Sequence, residues 1–266
     1  MQRYDWRTAL MAMVTLAVVV AALLLPAQPQ PLSYHAFADC RSALSIPNAL
    51  NVLSNLPFVI AGAIGLRRVA DAGQLVFHDP RERLPYLIFF LGALLTCFGS
   101  MYYHWAPDNP RLVWDRLPMT LAFSGLVSAV IAERLHARLG RWLLWPTLLL
   151  GGASVFFWYA TERAGVGNLV PYALFQAWAI LIVLFAAAAG AMKRYTHVGW
   201  LWWPVLLYGL AKIVEAFDLQ VYRLSGMLLS GHSLKHLLAA AAVYAVVVML
   251  TRRRTVASLN PAPNVV

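Results

Sequence analysis

Acidic residues are scarce in this chain of 266 residues: eleven Asp and Glu face twenty-one Lys and Arg, and charged residues of both signs make up 12%. Soluble domains carry roughly 25% charged residues. With 61% hydrophobic residues as well, the soluble and the disordered classes are excluded. Cysteine is nearly missing. Cys40 and Cys97 are the two present, and Cys97 lies in an apolar run, so no disulfide framework is available and the redox compartment cannot be read from cysteine. Internal repeats are lacking too, and the sole biased tract is the Pro and Gln stretch after Leu25.

What the chain does have is length without charge. Residues 8–38, 42–66, 84–107, 142–161, 164–192 and 195–211 contain no Asp, Glu, Lys or Arg. Each stretch holds enough apolar residues for the ~20 positions of a spanning helix. Residues 113–132 and 232–250 are apolar as well, with Asp115 and Lys235 near their starts. The expectation is an all-α integral membrane protein with eight spans in one bundle, because irregular backbone cannot face lipid. The chain then divides into an added N-terminal transmembrane helix (1–30), an outer loop (31–47), a seven-helix core (48–251) and a tail (252–266).

Arg3 and Arg7 precede the first apolar run, as in a secretory signal peptide. That run is longer than the ~7 to 15 residues of a signal core, and Pro26, Ala27, Gln28 make a poor cleavage site, so an uncleaved anchor is expected. With the N-terminus inside, the cytoplasmic segments hold fourteen of the twenty-one basic residues. The outer segments hold only Arg41, Arg111, Arg116, Arg163 and Arg223, while Lys212 and Lys235 fall within spans. Basic residues favour the cytoplasmic side, which puts both termini there and accounts for the +10 net charge without a nucleic-acid partner. Lys193, Lys212 and Lys235 are the only lysines against eighteen arginines. That bias hints at a GC-rich bacterial genome and hence a bacterial inner membrane.

Seven histidines are present. His78, His136 and His197 fall in or beside cytoplasmic connections and read as solvated surface groups, whereas His35, His104, His232 and His236 lie on the outer side. His104 ends an outward-running span, and His232 and His236 open an inward-running one, so all three reach one leaflet. Four-residue spacing puts His232 and His236 on one helix face, as a shared metal requires. Ser230 is a plausible N-cap, which places His232 in the first turn, where the positive helix end favours the neutral, metal-binding imidazole. Three imidazoles leave a fourth tetrahedral position open, the arrangement of catalytic rather than structural zinc.

Ser100 precedes His104 by one turn, on the same face. It either reaches what the metal holds or bonds a backbone carbonyl of its own helix. Asp115 returns to the same leaflet after a connection containing Pro107 and Pro110; it either joins the site or pairs with Arg116. Lys212, Glu215 and Asp218, three residues apart, read as an ion network on one helix side, with a proton path or a lipid-head clamp as alternatives. Lys235 points about 100° away from His236 by helix geometry and is a partner for Glu215 or for a lipid phosphate. Asn51, Ser54 and Asn55 are expected to hydrogen-bond between helices.

With these pieces in place the chain resembles the alkaline ceramidase family, within the superfamily of seven-helix membrane proteins that also holds the adiponectin-type receptors. The matching segments are Asn51, Ser54 and Asn55 in NALNVLSN, Ser100 and His104 in SMYYH, Asp115 in WDRLPM, and His232 and His236 in GHSLKH, in the family's order across about 39–250. The resemblance implies zinc held by His104, His232 and His236, an active site completed by Ser100 and Asp115, and hydrolysis of ceramide to sphingosine and fatty acid. It implies a membrane lipid as the substrate partner and says nothing of protein partners. Two departures stand out. The animal enzymes carry an acid-rich calcium site ahead of the first family helix, where this chain offers Asp39 among Cys40, Arg41 and Asn48, so calcium (Ca2+) dependence is not expected. The span in 1–30 is an addition to the seven-helix core. Rival readings are a zinc-containing receptor or signalling protein, a transporter built on Lys212, Glu215 and Asp218, and a bis-histidine haem protein.

Overall fold

The computed structural model describes residues 5–71, 77–189 and 194–256; Arg3, Lys193 and the chain beyond Val256 lie outside them. Among these residues the fold is all-helical: α1 (Trp6–Leu24), α2 (Ala49–Leu53), α3 (Leu56–Ala70), α4 (Arg83–Trp105), α5 (Asn109–Arg134), α6 (Ala137–Arg163), α7 (Val170–Ala189), α8 (Trp202–Ala216), α9 (Asp218–Leu224) and α10 (Gly231–Arg252). Among the described residues seven spans are long and apolar enough to cross a membrane, with α2 and α3 counted as one. The protein is therefore a multi-pass membrane bundle.

The helix ends follow from local chemistry. Asp5 caps α1 by accepting from the backbone of Arg7 and Thr8, and Pro26 follows its end. Asp108 caps α5, with Pro110 in the first turn. His136 caps α6 by accepting from Leu139, and this histidine is buried, not solvated as its place in a connection suggested. Ser230 caps α10, as its sequence context indicated. Between α2 and α3 the helix is interrupted at Ser54 and Asn55, where Pro57 has no N–H to continue the ladder.

The expected span near 195–211 differs most. α8 has 15 residues, entered through a 3-10 turn at Val198–Leu201, and it ends at Phe217, whose φ of −105° and ψ of 35° leave the helix. Asp218 then opens the separate helix α9. Lys212, Glu215 and Asp218 do not share one helix side.

Packing brings α4 and α5 into unusually close contact. A Cβ on Gly99 would lie 2.0 Å from the carbonyl oxygen of Trp114, and one on Gly92 would lie 2.4 Å from the backbone nitrogen of Ala122. Small residues permit such approach between membrane helices. Pro118, four residues after Trp114, cannot supply the N–H that carbonyl would otherwise accept.

α1 packs on α7, where Trp178 Nε1 donates to Thr15 Oγ1 at 3.0 Å. The segment after α1 is tied to the ends of α6 and α7: the Gln30 N–H donates to Glu162 at 2.6 Å and the Leu169 N–H to the Gln28 carbonyl at 2.8 Å. At the opposite end of the bundle, Arg253 is buried against Glu133 amid Phe77, Tyr86 and Tyr195, and Arg194 meets Glu82 at 2.7 Å.

Candidate active site

α4 delivers His104 in its last turn, and α10 delivers His232 and His236 from its first two turns. All three imidazoles are buried. Their ring centroids are separated by 4.8 Å (His104 to His232), 4.9 Å (His104 to His236) and 4.9 Å (His232 to His236). Nε2 of His104 and Nε2 of His232 lie 3.3 Å apart. Two nitrogens bound tetrahedrally at ~2.0–2.1 Å would stand about 3.4 Å from each other, so the spacing suits a zinc-sized ion. The donor set fits as well: neutral nitrogen ligands, with one atom from each residue lying within 4.8 Å of the others.

The surroundings orient these rings. Nδ1 of His236 is 2.8 Å from the Ser54 hydroxyl at the break between α2 and α3, which leaves Nε2 for a ligand. Nδ1 of His104 has no hydrogen-bond partner among the described residues. Asp218 accepts the His232 backbone N–H at 2.7 Å through one oxygen and the Ala38 N–H at 2.9 Å through the other. It thereby ties the segment before α2 to the start of α10. Asn51 joins the same parts, donating to the Asp39 carbonyl at 2.8 Å and accepting from Ser233 Oγ at 2.8 Å, whereas Asn55 bonds within its own helix.

Phe37 lies over the cluster, its ring centroid 4.5 Å from that of His232 and 4.8 Å from that of His104. Lys235 Nζ bonds Glu215 at 2.8 Å, the pairing its helical position allowed, and stands 3.1 Å from His232 Nε2. That nitrogen has one lone pair, so an ion bound there and the ammonium are competitors for it. His35 stands apart from the cluster, bonded to the Tyr103 hydroxyl at 2.9 Å and to the Asn109 side chain at 3.0 Å.

Ser100 of α4 and Asp115 of α5 come near each other where the two helices meet, and both are buried. Both line a cavity of about 760 Å3 that also takes in His236, Lys235 and Glu215. Away from these groups the walls are apolar, formed by residues such as Phe89, Phe123, Leu126 and Val183. The cavity is bounded on one side by α7 and α8, which scarcely touch each other.

A family model described as Ceramidase matches residues 43–263. The chain belongs to the ceramidase family. No curated protein matches it. Membership brings ceramide hydrolysis in general as the activity, and hence a hydrolase acting on a membrane lipid.

In this ceramidase, Arg116 is not an outer-segment charge as the distribution of basic residues suggested. It sits within α5, is 4% exposed and lines the cavity, and it makes no ion pair with Asp115. Its partners are the Gln30 side chain at 2.5 Å and the rings of Trp158 and Tyr172. Sequence reasoning passed over Phe37 and the anchoring role of Asp218. The only signal for Phe37 was an aromatic residue in a polar connection, and for Asp218 an acid in an apolar stretch.

Proposed function

We propose that this ceramidase is zinc-dependent and cleaves the amide of a ceramide-like lipid to a sphingoid base and a free fatty acid. The reading is carried by one observation: three imidazoles form a buried cluster, and its His236 joins Ser100 and Asp115 in lining the polar part of a cavity whose other walls are mainly apolar. His104, His232 and His236 would hold the ion, which when bound supplies Lewis acidity toward the amide carbonyl and an activated water near neutral pH. Asp115 is the proton carrier, taking a proton from the attacking water and returning it to the leaving amine nitrogen. Ser100 turns from Asp115 to the developing oxyanion, a role in which one donor is worth about 3 kcal/mol. Phe37 keeps bulk water off His104 and His232, and the apolar walls receive the acyl chain.

No calcium is invoked in this scheme; the Asp39 carboxylate bonds Arg41 at 2.9 Å and the Tyr222 hydroxyl at 3.4 Å. We take 1–30 as an added helix, 31–47 as an outer loop, 48–251 as the catalytic core and 252–266 as a tail. The asymmetry of basic residues supports cytoplasmic termini, a histidine end facing the non-cytoplasmic leaflet and, with the arginine bias, a bacterial inner membrane.

Purified protein given fluorescent ceramide should release fatty acid, and His232→Ala should lose bound zinc and activity together. Full activity in that variant would reject the site. Bound zinc without ceramide cleavage would favour the receptor reading.

A further inference from the structure

Five charged side chains line the cavity: Asp115, Arg116, Lys212, Glu215 and Lys235. The three cations exceed the two anions by one. Glu215 serves two ammonium groups at once, Lys212 three residues before it and Lys235 of α10. Among the described residues Arg116 has no carboxylate partner, and one of its terminal nitrogens has no hydrogen-bond partner. The histidines beside them are counted as neutral, the form in which they bind metal, and a divalent ion held by them would add to the positive excess.

Charges within membrane proteins are costly and are ordinarily neutralised in place. A cavity that takes lipid and keeps positive charge in excess is therefore built to receive a negative group from its ligand. Lys212 is placed to meet it, since its side chain is 54% exposed while that of Lys235 is 18%. A headgroup bearing only hydroxyls would leave the imbalance as it stands.

We propose that the amide lipid hydrolysed at this site carries an anionic group near the amide, a phosphate, sulfonate or carboxylate, received by Lys212 and Lys235 at the polar end of the cavity. This inference rests on the amidase reading above and narrows its substrate class. Glu215 holds the two ammonium groups together until the anion arrives, and Arg116 adds positive potential from behind. The apolar walls then take the acyl chain whatever the headgroup.

The test uses detergent-solubilised full-length protein, N-palmitoyl sphingosine and its 1-phosphate as substrates, and dodecyl phosphate and dodecanol as binding probes. The phosphorylated substrate should have the higher kcat/KM by about tenfold, the scale of one partly solvated ion pair. Lys212→Gln, an exposed position where misfolding is not a concern, should reduce that preference severalfold, as should about 0.5 M salt. Lys235→Gln should reduce it further. Dodecyl phosphate should raise the melting temperature and compete with substrate; dodecanol should do neither.

Equal kcat/KM for the two substrates would overturn the proposal. So would dodecyl phosphate that stabilises the protein without raising the substrate KM, since that would mark Lys212 as a contact for surrounding phospholipid. Should neither lipid be cleaved, the amidase reading fails, and binding of dodecyl phosphate over dodecanol, lost in Lys212→Gln, still decides whether the cavity takes an anionic amphiphile.

Discussion

The Ser54 hydroxyl lies 2.8 Å from Nδ1 of His236, although the two residues are 182 positions apart in the chain. The bond exists because the helix is broken between α2 and α3, which turns Ser54 toward α10. Partners of this kind fix the ligand tautomer, and their loss typically costs 10- to 100-fold in metal affinity. Ser54→Ala should therefore weaken zinc binding by about that factor while leaving helix content unchanged. Competition against a chelator of known affinity measures it, and an unaltered affinity would remove Ser54 from the site.

Zinc should stabilise the folded chain through the histidine cluster. A ligand present at 100 times its Kd adds about 2.7 kcal/mol when it binds only the folded state. Chelated protein should melt at a lower temperature and recover on adding zinc. In His104→Ala, zinc should produce no such recovery; an equal rise there would place the ion elsewhere.

Gly99 separates α4 from the Trp114 carbonyl, with room for no Cβ at 2.0 Å. Gly99→Ala should force the helices apart, cost about 1–3 kcal/mol as overpacking does, and part Ser100 from Asp115. Activity should fall about tenfold or more, the counterpart of losing at least 1.4 kcal/mol at the transition state. Gly152→Ala is the control, because an added Cβ there meets nothing within 4 Å. Equal behaviour of the two variants would refute the close-contact argument.

Arg41 beside Asp39 holds the Asp39 carboxyl below its usual 3.8. A depressed carboxyl stabilises the fold at pH values above its unfolded pKa, and that contribution disappears as pH falls through the folded value. Asp39→Asn should lower the melting temperature by a constant amount from pH 7 to about 5, with the gap to the parent chain closing below about pH 4. A gap that persists in acid would mean that charge on Asp39 is not what holds the segment bearing Phe37.

Much of this was legible in the sequence because it is local or periodic. Uncharged runs marked the spans, the four-residue steps from Ser100 to His104 and from His232 to His236 set their faces, and Ser230 announced the start of α10. What was not legible depends on contacts between distant segments. Nothing near Phe37 indicates that Asp218 draws its segment across the histidines. Arg116 reads as an interfacial charge until Trp158 and Tyr172 enclose it. Lys212, Glu215 and Asp218 keep helical spacing on paper, and only the backbone of Phe217 takes Asp218 off that helix.

The sparse contact between α7 and α8, beside the cavity, bears on how turnover should be counted. A substrate admitted from the side arrives by diffusing within the sheet of lipids, and its supply is set by its mole fraction there rather than by its amount per volume of buffer. Diluting the membrane with inert phospholipid should slow the reaction at fixed total substrate. Both products are then released into the same two-dimensional phase, where their accumulation, and not dilution into water, governs how far hydrolysis proceeds.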